Sequence, residues 1–140
     1  MIRTLRMQSD SDYKDYLNLI NQLSKIIEVS KEDYEDFVLI QDFRHRTFVF
    51  EQDGIIVSCI TVLLEKKLAG NVLHIEDVVT DSKYQGQGIA SKLIDYAKDY
   101  AIKEKCYKII LDCSDTNETF YNKLSFYTAG NYMRFDIGIR

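Results

Sequence analysis

HIEDVVTDSKYQGQGIASK, residues His74 to Lys92, decides how the rest of the chain reads. The apolar, β-branched run from Leu73 to Val79 predicts a buried strand, and Gly86 and Gly88 mark a loop after it. A helix pattern opens at once, with Ile89, Ala90, Leu93, Ile94, Ala97 and Ala101 recurring on one face. Strand, glycine loop and helix N-terminus together present free backbone N–H groups and the positive end of a helix dipole. That setting holds an anion without any basic side chain. The two glycines fall short of the GxGxxG of dinucleotide folds, and no Gly-Lys-Ser or Gly-Lys-Thr follows, as a P-loop requires. What remains is Gln85-x-x-Gly88-x-Ala90.

That remnant matches the Q/R-x-x-G-x-G/A signature of the GNAT acyltransferases. Three further stretches follow in register: HIEDVV before the loop, CYKIILDC at Cys106 to Cys113, and N-x-x-FYxK at Asn117 to Lys123. Together they resemble the glucosamine-6-phosphate N-acetyltransferases, a branch of GNAT, most densely from His74 to Phe126. The resemblance implies the α/β (α+β) GNAT fold and acetyl-CoA as co-substrate. Gln85, Gly86, Gln87, Gly88, Ile89, Ala90 and Ser91 would then hold the cofactor diphosphate.

Composition sets bounds consistent with this. A chain of 140 residues suits one domain spanning 1–140, with hydrophobic content of 46% and charged content of 29% typical of soluble globular proteins. A formal net charge of -4 gives no nucleic-acid footprint, so none is expected as a partner. Both ligands implied by the resemblance are anionic, which makes each well-placed Lys or Arg worth tracking. No apolar run is long enough to cross a membrane, and MIRTLRMQSD lacks a signal-peptide core. Cys59, Cys106 and Cys113 form no CxxC pair and sit in apolar stretches, so buried reduced thiols and a cytoplasmic location are expected, with no metal site.

Read in order, Ile2 to Met7 alternates as a first strand. Asp10 or Ser11 caps a helix with Tyr13, Tyr16, Leu17, Ile20 and Leu23 on its apolar face. Ser30 and Asp33 form a capping box for a second helix carrying Tyr34, Phe37 and Val38. Thr47 to Glu51 and Ile55 to Leu64 are strands joined at Asp53-Gly54, a strong hairpin signal. After the central strand and third helix, Tyr107 to Cys113 is a further strand, and Asp115 or Thr116 caps a short helix from Asn117 to Leu124. Phe126 to Thr128 and Tyr132 to Ile139 are the last extended pieces. The expected order is β, α, α, β, β, β, α, β, α, β, a mixed sheet with helices on both faces.

Acetyl transfer from a thioester to an amine needs three things: loss of an amine proton, stabilisation of the carbonyl oxygen, and a donor for the departing thiolate. Glu76, Asp77 and Asp112 are the carboxylates in otherwise apolar strands, and spacing alone does not choose among them. Alternation puts Lys108, Ile110 and Asp112 on one face, and sends Glu76 and Asp77 to opposite faces unless the strand bulges between them. The resemblance implies such a bulge. It also implies that Asp112 contacts or deprotonates the sugar amine, while Glu76 and Asp77 shape the amine and hydroxyl site. Backbone N–H groups near Val78 suit the oxygen, with Val78, Val79 and Thr80 running beside the pantetheine arm as an added strand would.

Asn117 and Tyr121, four apart, share a helix face, and a phenol suits the thiolate. By resemblance Tyr121 serves that role and Asn117 bonds the cofactor arm. Lys67, Arg134 and Ser24 align with substrate-binding positions of the family, and the C-terminal strand implies a homodimer with a shared site. Three departures stand out: the loop after Lys67 is short, Leu124-Ser125-Phe126 replaces Cys-Gly-Phe, and the arginine register in RFDIGIR is shifted. The expected reaction is direct attack by glucosamine 6-phosphate in a ternary complex. Rival readings are acetylation of a protein N-terminus, polyamine or aminoglycoside, or a silent acyl-CoA-binding module.

Overall fold

Asp53 and Gly54 both take left-handed backbone conformations (φ 54° and 78°), which closes a tight turn between two long antiparallel strands. These are β2 (His45–Gln52) and β3 (Ile55–Glu65). The computed structural model describes residues 1–25 and 28–138. It divides into two compact units, Met1–Ile110 and the chain from Leu111 onward.

The first unit holds a five-stranded sheet. β1 (Ile2–Thr4) pairs antiparallel with β2, β3 pairs antiparallel with β4 (Asn71–Thr80), and β4 pairs parallel with β5 (Cys106–Ile110). Strand order follows chain order. The parallel pair needs a crossover, which α3 (Ile89–Lys103) supplies. Two more helices, α1 (Asp10–Leu23) and α2 (Lys31–Leu39), follow β1. Val49 of β2 joins a buried cluster with Leu5, Tyr16, Leu19, Tyr34, Ile56 and Cys59. The next residue back, Phe48, meets the Tyr96 and Tyr100 rings of α3 at 4.8 and 5.5 Å. Adjacent strand residues point to opposite faces, so α1 and α3 cover the two sides of the sheet, as expected.

Local chemistry explains the helix starts. Ser30 Oγ accepts from the Asp33 N–H while the Asp33 carboxylate accepts from the Ser30 N–H, which closes the capping box. At α1 the cap is Ser9, one residue before the expected pair, and its hydroxyl accepts from Asp12 N–H. The buried stripe is Asp12, Tyr16 and Leu19, whereas the expected Leu23 lies exposed. A paired carboxylate in the stripe masks the apolar period.

The second unit contains α4 (Asp115–Lys123), capped by Ser114 rather than Asp115 or Thr116. No strand forms among residues 126–138, so the expected final strand is absent there, and Ile139 lies outside the described residues. Tyr132, Met133, Phe135 and Ile137 instead expose 69, 87, 89 and 97% of their surface. Ser125 takes φ 72°, so the turn that lacks the expected glycine is made by a residue in a strained left-handed conformation. Of the three free thiols, Cys59 is buried as expected, Cys106 is partly buried, and Cys113 is exposed beyond the end of β5. No helix among the described residues is long and apolar enough to cross a membrane.

Candidate active site

β4 is irregular where two of its acids meet. Thr61 pairs with Glu76 and Cys59 with Val79, so Ile60 alone opposes both Asp77 and Val78. That is a β-bulge, and Asp77 makes it by adopting φ 49°. Thr61 and Cys59 both face α1, so their partners Glu76 and Val79 face it too. Asp77 also interacts with Tyr16, Cys59 and His45 of that side. The bulge therefore brings Glu76 and Asp77 to one face, where regular alternation would part them. Asp77 keeps contact with solvent, yet crowding raises its carboxyl above the usual range, and the nearby His45 offsets this only in part. The carbonyl of Asp77 accepts from Cys59 Sγ at 3.5 Å.

On its other edge β4 loses its neighbour. The ladder with β5 ends at His74↔Ile110, so none of the five strands pairs with that edge of β4 from Ile75 to Thr80. An extended ligand can add there as a strand would. The side chains of Val79 and Thr80 are already engaged, Val79 against the α1 cluster and Thr80 Oγ1 on Ser58 Oγ at 2.8 Å. Val78, between them and the bulge, is partly buried.

β4 runs into the glycine loop through a tethered bend. Asn18 of α1 donates to Asp81 Oδ2 at 2.9 Å, Gln22 accepts from Ser82 N–H at 3.0 Å, and Gln85 Nε2 donates back to the Thr80 carbonyl at 3.2 Å. Asn18 and Gln22 are anchors that the sequence reading missed, although their spacing places them on one helix face. Gly86 and Gly88 then take φ 80° and 77°, and nothing lies within 4 Å of where a Cβ would stand on either. Gly88 is the N-cap of α3 and supplies no side-chain cap. The first helical bond is Lys92 N–H to the Gly88 carbonyl, so the N–H groups of Ile89, Ala90 and Ser91 have no intrahelical partner. The loop is open, its amides are free, and it sits at the positive end of a helix of 15 residues. A diphosphate fits those terms.

In the second unit, Asn117 and Tyr121 lie one turn apart on α4. Tyr121 packs edge-on against Phe120 and Phe126, with ring centroids 5.0 and 5.8 Å away. Burial, then Cys113 and Asp112, push its hydroxyl above the ordinary phenol value, so it stays protonated at neutral pH. Asp112 is exposed. β5 was expected to run through Cys113 but ends at Ile110, so the alternation that grouped Lys108 with Asp112 stops short of the acid. Lys108 Nζ lies 5.3 Å from the centroid of the neighbouring Tyr107 ring.

The other basic candidates differ. Lys67 is exposed in the β3–β4 loop, where its carbonyl accepts from Gly70 N–H at 3.1 Å. Arg134 is exposed and spends its Nε on Asp136 at 2.6 Å. Ser24 closes α1 with its N–H on the Ile20 carbonyl.

Comparison with known proteins gives three findings. Residues 14–126 match the Acetyltransferase (GNAT) family. The chain is 32% identical to a glucosamine 6-phosphate N-acetyltransferase of Arabidopsis thaliana, over 84% of this chain and 85% of that one. It is 33% identical to its counterpart in Candida albicans, over 91% of each. The crystal structure of the Arabidopsis thaliana glucosamine-6-phosphate N-acetyltransferase superposes with a TM-score of 0.90 at 31% identity, covering 99% of this chain and 98% of that one.

Proposed function

The chain belongs to the acetyltransferase (GNAT) family, and on that premise we propose that it transfers acetyl from acetyl-CoA to the 2-amino group of glucosamine 6-phosphate. One observation supports this most strongly. The first unit joins an anion-holding loop to a bulged strand that turns two carboxylates, Glu76 and Asp77, to one face.

Each step has a residue suited to it. The free amides from Gln85 to Ser91 hold the diphosphate, and the unpaired edge at Val78 to Thr80 holds the pantetheine amides. Attack is direct, because the thioester is already activated and needs no covalent relay. Glu76 and Asp112 manage the amine proton, and Asp77 shapes the amine and hydroxyl site. Tyr121 gives its proton to the departing thiolate, and Asn117 bonds the cofactor arm. Lys67, Lys108, Arg134 and Ser24 receive the sugar phosphate and hydroxyls. Cationic acceptors such as polyamines or aminoglycosides have no use for that basic set, and a silent binding module has none for Tyr121 with Asp112.

The same reading makes the whole chain one catalytic domain in a cytoplasmic homodimer that serves UDP-GlcNAc synthesis. The exposed apolar residues Tyr132, Met133, Phe135 and Ile137 favour a partner subunit there. The family match spans both units of the chain, which favours one domain.

Free-thiol release from acetyl-CoA tests the substrate. Turnover with glucosamine 6-phosphate, and little with unphosphorylated glucosamine, is expected. Turnover with neither, while acetyl-CoA still binds, sinks the substrate assignment. The loop has its own test in Gly88→Ala. A Cβ meets no atom there, so the whole cost is the left-handed φ, about 1–2 kcal/mol for an L-residue. KM for acetyl-CoA should rise about tenfold with the acceptor KM unchanged. An unchanged cofactor KM removes the loop from the binding site.

A further inference from the structure

A chain of hydroxyl groups runs behind the bulge, and neither the resemblance nor the reaction uses it. It begins at Gln41, just past α2. The Thr47 N–H donates to Gln41 Oε1 at 3.0 Å, which fixes the amide's orientation, and Gln41 Nε2 then donates to Thr47 Oγ1 at 3.0 Å. Thr47 Oγ1 lies 3.1 Å from Thr61 Oγ1, with both residues buried across the β2–β3 ladder. Both threonines hydrogen-bond to the phenol oxygen of Tyr16, itself only 7% exposed. Donation into that oxygen leaves the phenol proton for an acceptor outside the chain.

What faces Tyr16 there is limited. Cys59 on β3 presents a thiol, and that thiol already donates to the Asp77 carbonyl. Asp77 on β4 presents a carboxylate, the one strong acceptor of the two, with His45 of β2 as its nearby cation. The left-handed backbone at Asp77 brings the carboxylate to this side of the sheet.

We propose that Tyr16 is a positioning residue: its hydroxyl, aimed by Gln41, Thr47 and Thr61, orients the Asp77 carboxylate toward the acceptor amine and keeps it ionised. The inference rests on the amino-sugar reading for what Asp77 meets, and on geometry alone for the coupling between the two side chains. Tyr16 itself touches no reactant. The left-handed aspartate, the buried phenol and the threonine ladder form one device that sets the direction of a carboxylate.

The sign of the effect follows. A donor favours the charged carboxylate, so its removal makes the acid easier to protonate. In Tyr16→Phe the Asp77 titration midpoint, read by carboxyl NMR on the protein alone, should rise by about one pH unit. The acid limb of kcat/KM should move up with it, and KM for the amine should rise while KM for acetyl-CoA holds. Tyr34→Phe is the control for simple loss of a buried hydroxyl. Its phenol donates to the Arg6 carbonyl at 2.7 Å within the same core, so it should soften the fold and leave the Asp77 midpoint in place. If Tyr16→Phe does not fold, Thr61→Val reads the same coupling from one step back. An Asp77 midpoint unmoved by either variant overturns the coupling. A midpoint that moves while the acid limb stays overturns the positioning role. Wild-type protein inactive on glucosamine 6-phosphate overturns the substrate reading instead, because the titration needs no substrate.

Discussion

Tyr121→Phe should lower kcat for acetyl transfer by about 10²- to 10³-fold and leave KM for acetyl-CoA within about twofold. The substitution removes one oxygen from a ring that keeps its packing. Phe120 and Phe126 meet the edges of the Tyr121 ring at 5.0 and 5.8 Å and meet a phenylalanine equally well. Thermal stability should therefore move little. What is lost is a protonated phenol. Burial first, and the neighbouring Cys113 and Asp112 next, raise its pKa, so the hydroxyl keeps its proton across the physiological range. A donor that stays charged with its proton suits a thiolate, which develops negative charge only as the C–S bond breaks. An interaction made only at that point affects kcat and spares ground-state binding. The basic limb of kcat should consequently lie above the ordinary phenol value of about 10 in the wild type, if Tyr121 sets it. Steady-state kinetics at saturating amine decides the matter. A kcat within threefold of wild type, or a loss confined to KM, would make Tyr121 a packed aromatic with no part in the chemistry.

How much of this was legible in the sequence depends on how local each feature is. The Ser30–Asp33 box, the Asp53-Gly54 turn and the glycine loop before α3 each sit within a few residues, and all three stand in the structure as read. The bulge at Asp77 is different. It depends on how β3 and β4 register against each other, and alternation by itself gives the wrong face for one of the two acids. The coupling of Tyr16 to Asp77 is longer still in range, joining α1 to β4 through threonines on β2 and β3. In sequence Tyr16 is one of ten tyrosines at helical spacing. The end of β5 at Ile110 was hidden for a related reason, since an apolar run continues past the point where the partner strand stops pairing. Asp12 shows the converse: a charge in an apolar stripe reads as solvent-facing until the residue that neutralises it is known.

That neutralising partner yields the largest stability effect expected here: Asp12→Ala should cost about 3–5 kcal/mol. Asp12 is 2% exposed, and Arg3 of β1 grips its carboxylate with two bonds of 2.8 and 2.9 Å. The Arg6 N–H adds a third at 2.9 Å. The same guanidinium donates to Glu51 of β2 at 2.8 and 3.0 Å, so one cation fastens α1, β1 and β2 together. Removing the carboxylate leaves a largely buried guanidinium with half its donors unmatched, which costs more than the pair contributes over an apolar equivalent. Replacing Arg3 and Asp12 together by leucines should accordingly lose much less than Asp12→Ala alone. Acid should reveal the same contact. Burial raises the Asp12 carboxyl, but the Arg3 and Arg6 bonds outweigh it and hold the group below its unfolded value of 3.8. A depressed folded pKa contributes stability above the unfolded value and loses it as pH falls through the folded one. Urea denaturation should thus separate wild type from Asp12→Ala fully at pH 7, with the gap closing below about pH 4. A gap under 1 kcal/mol at pH 7, or one undiminished at pH 2, would mean that the carboxylate is not what fastens the three elements.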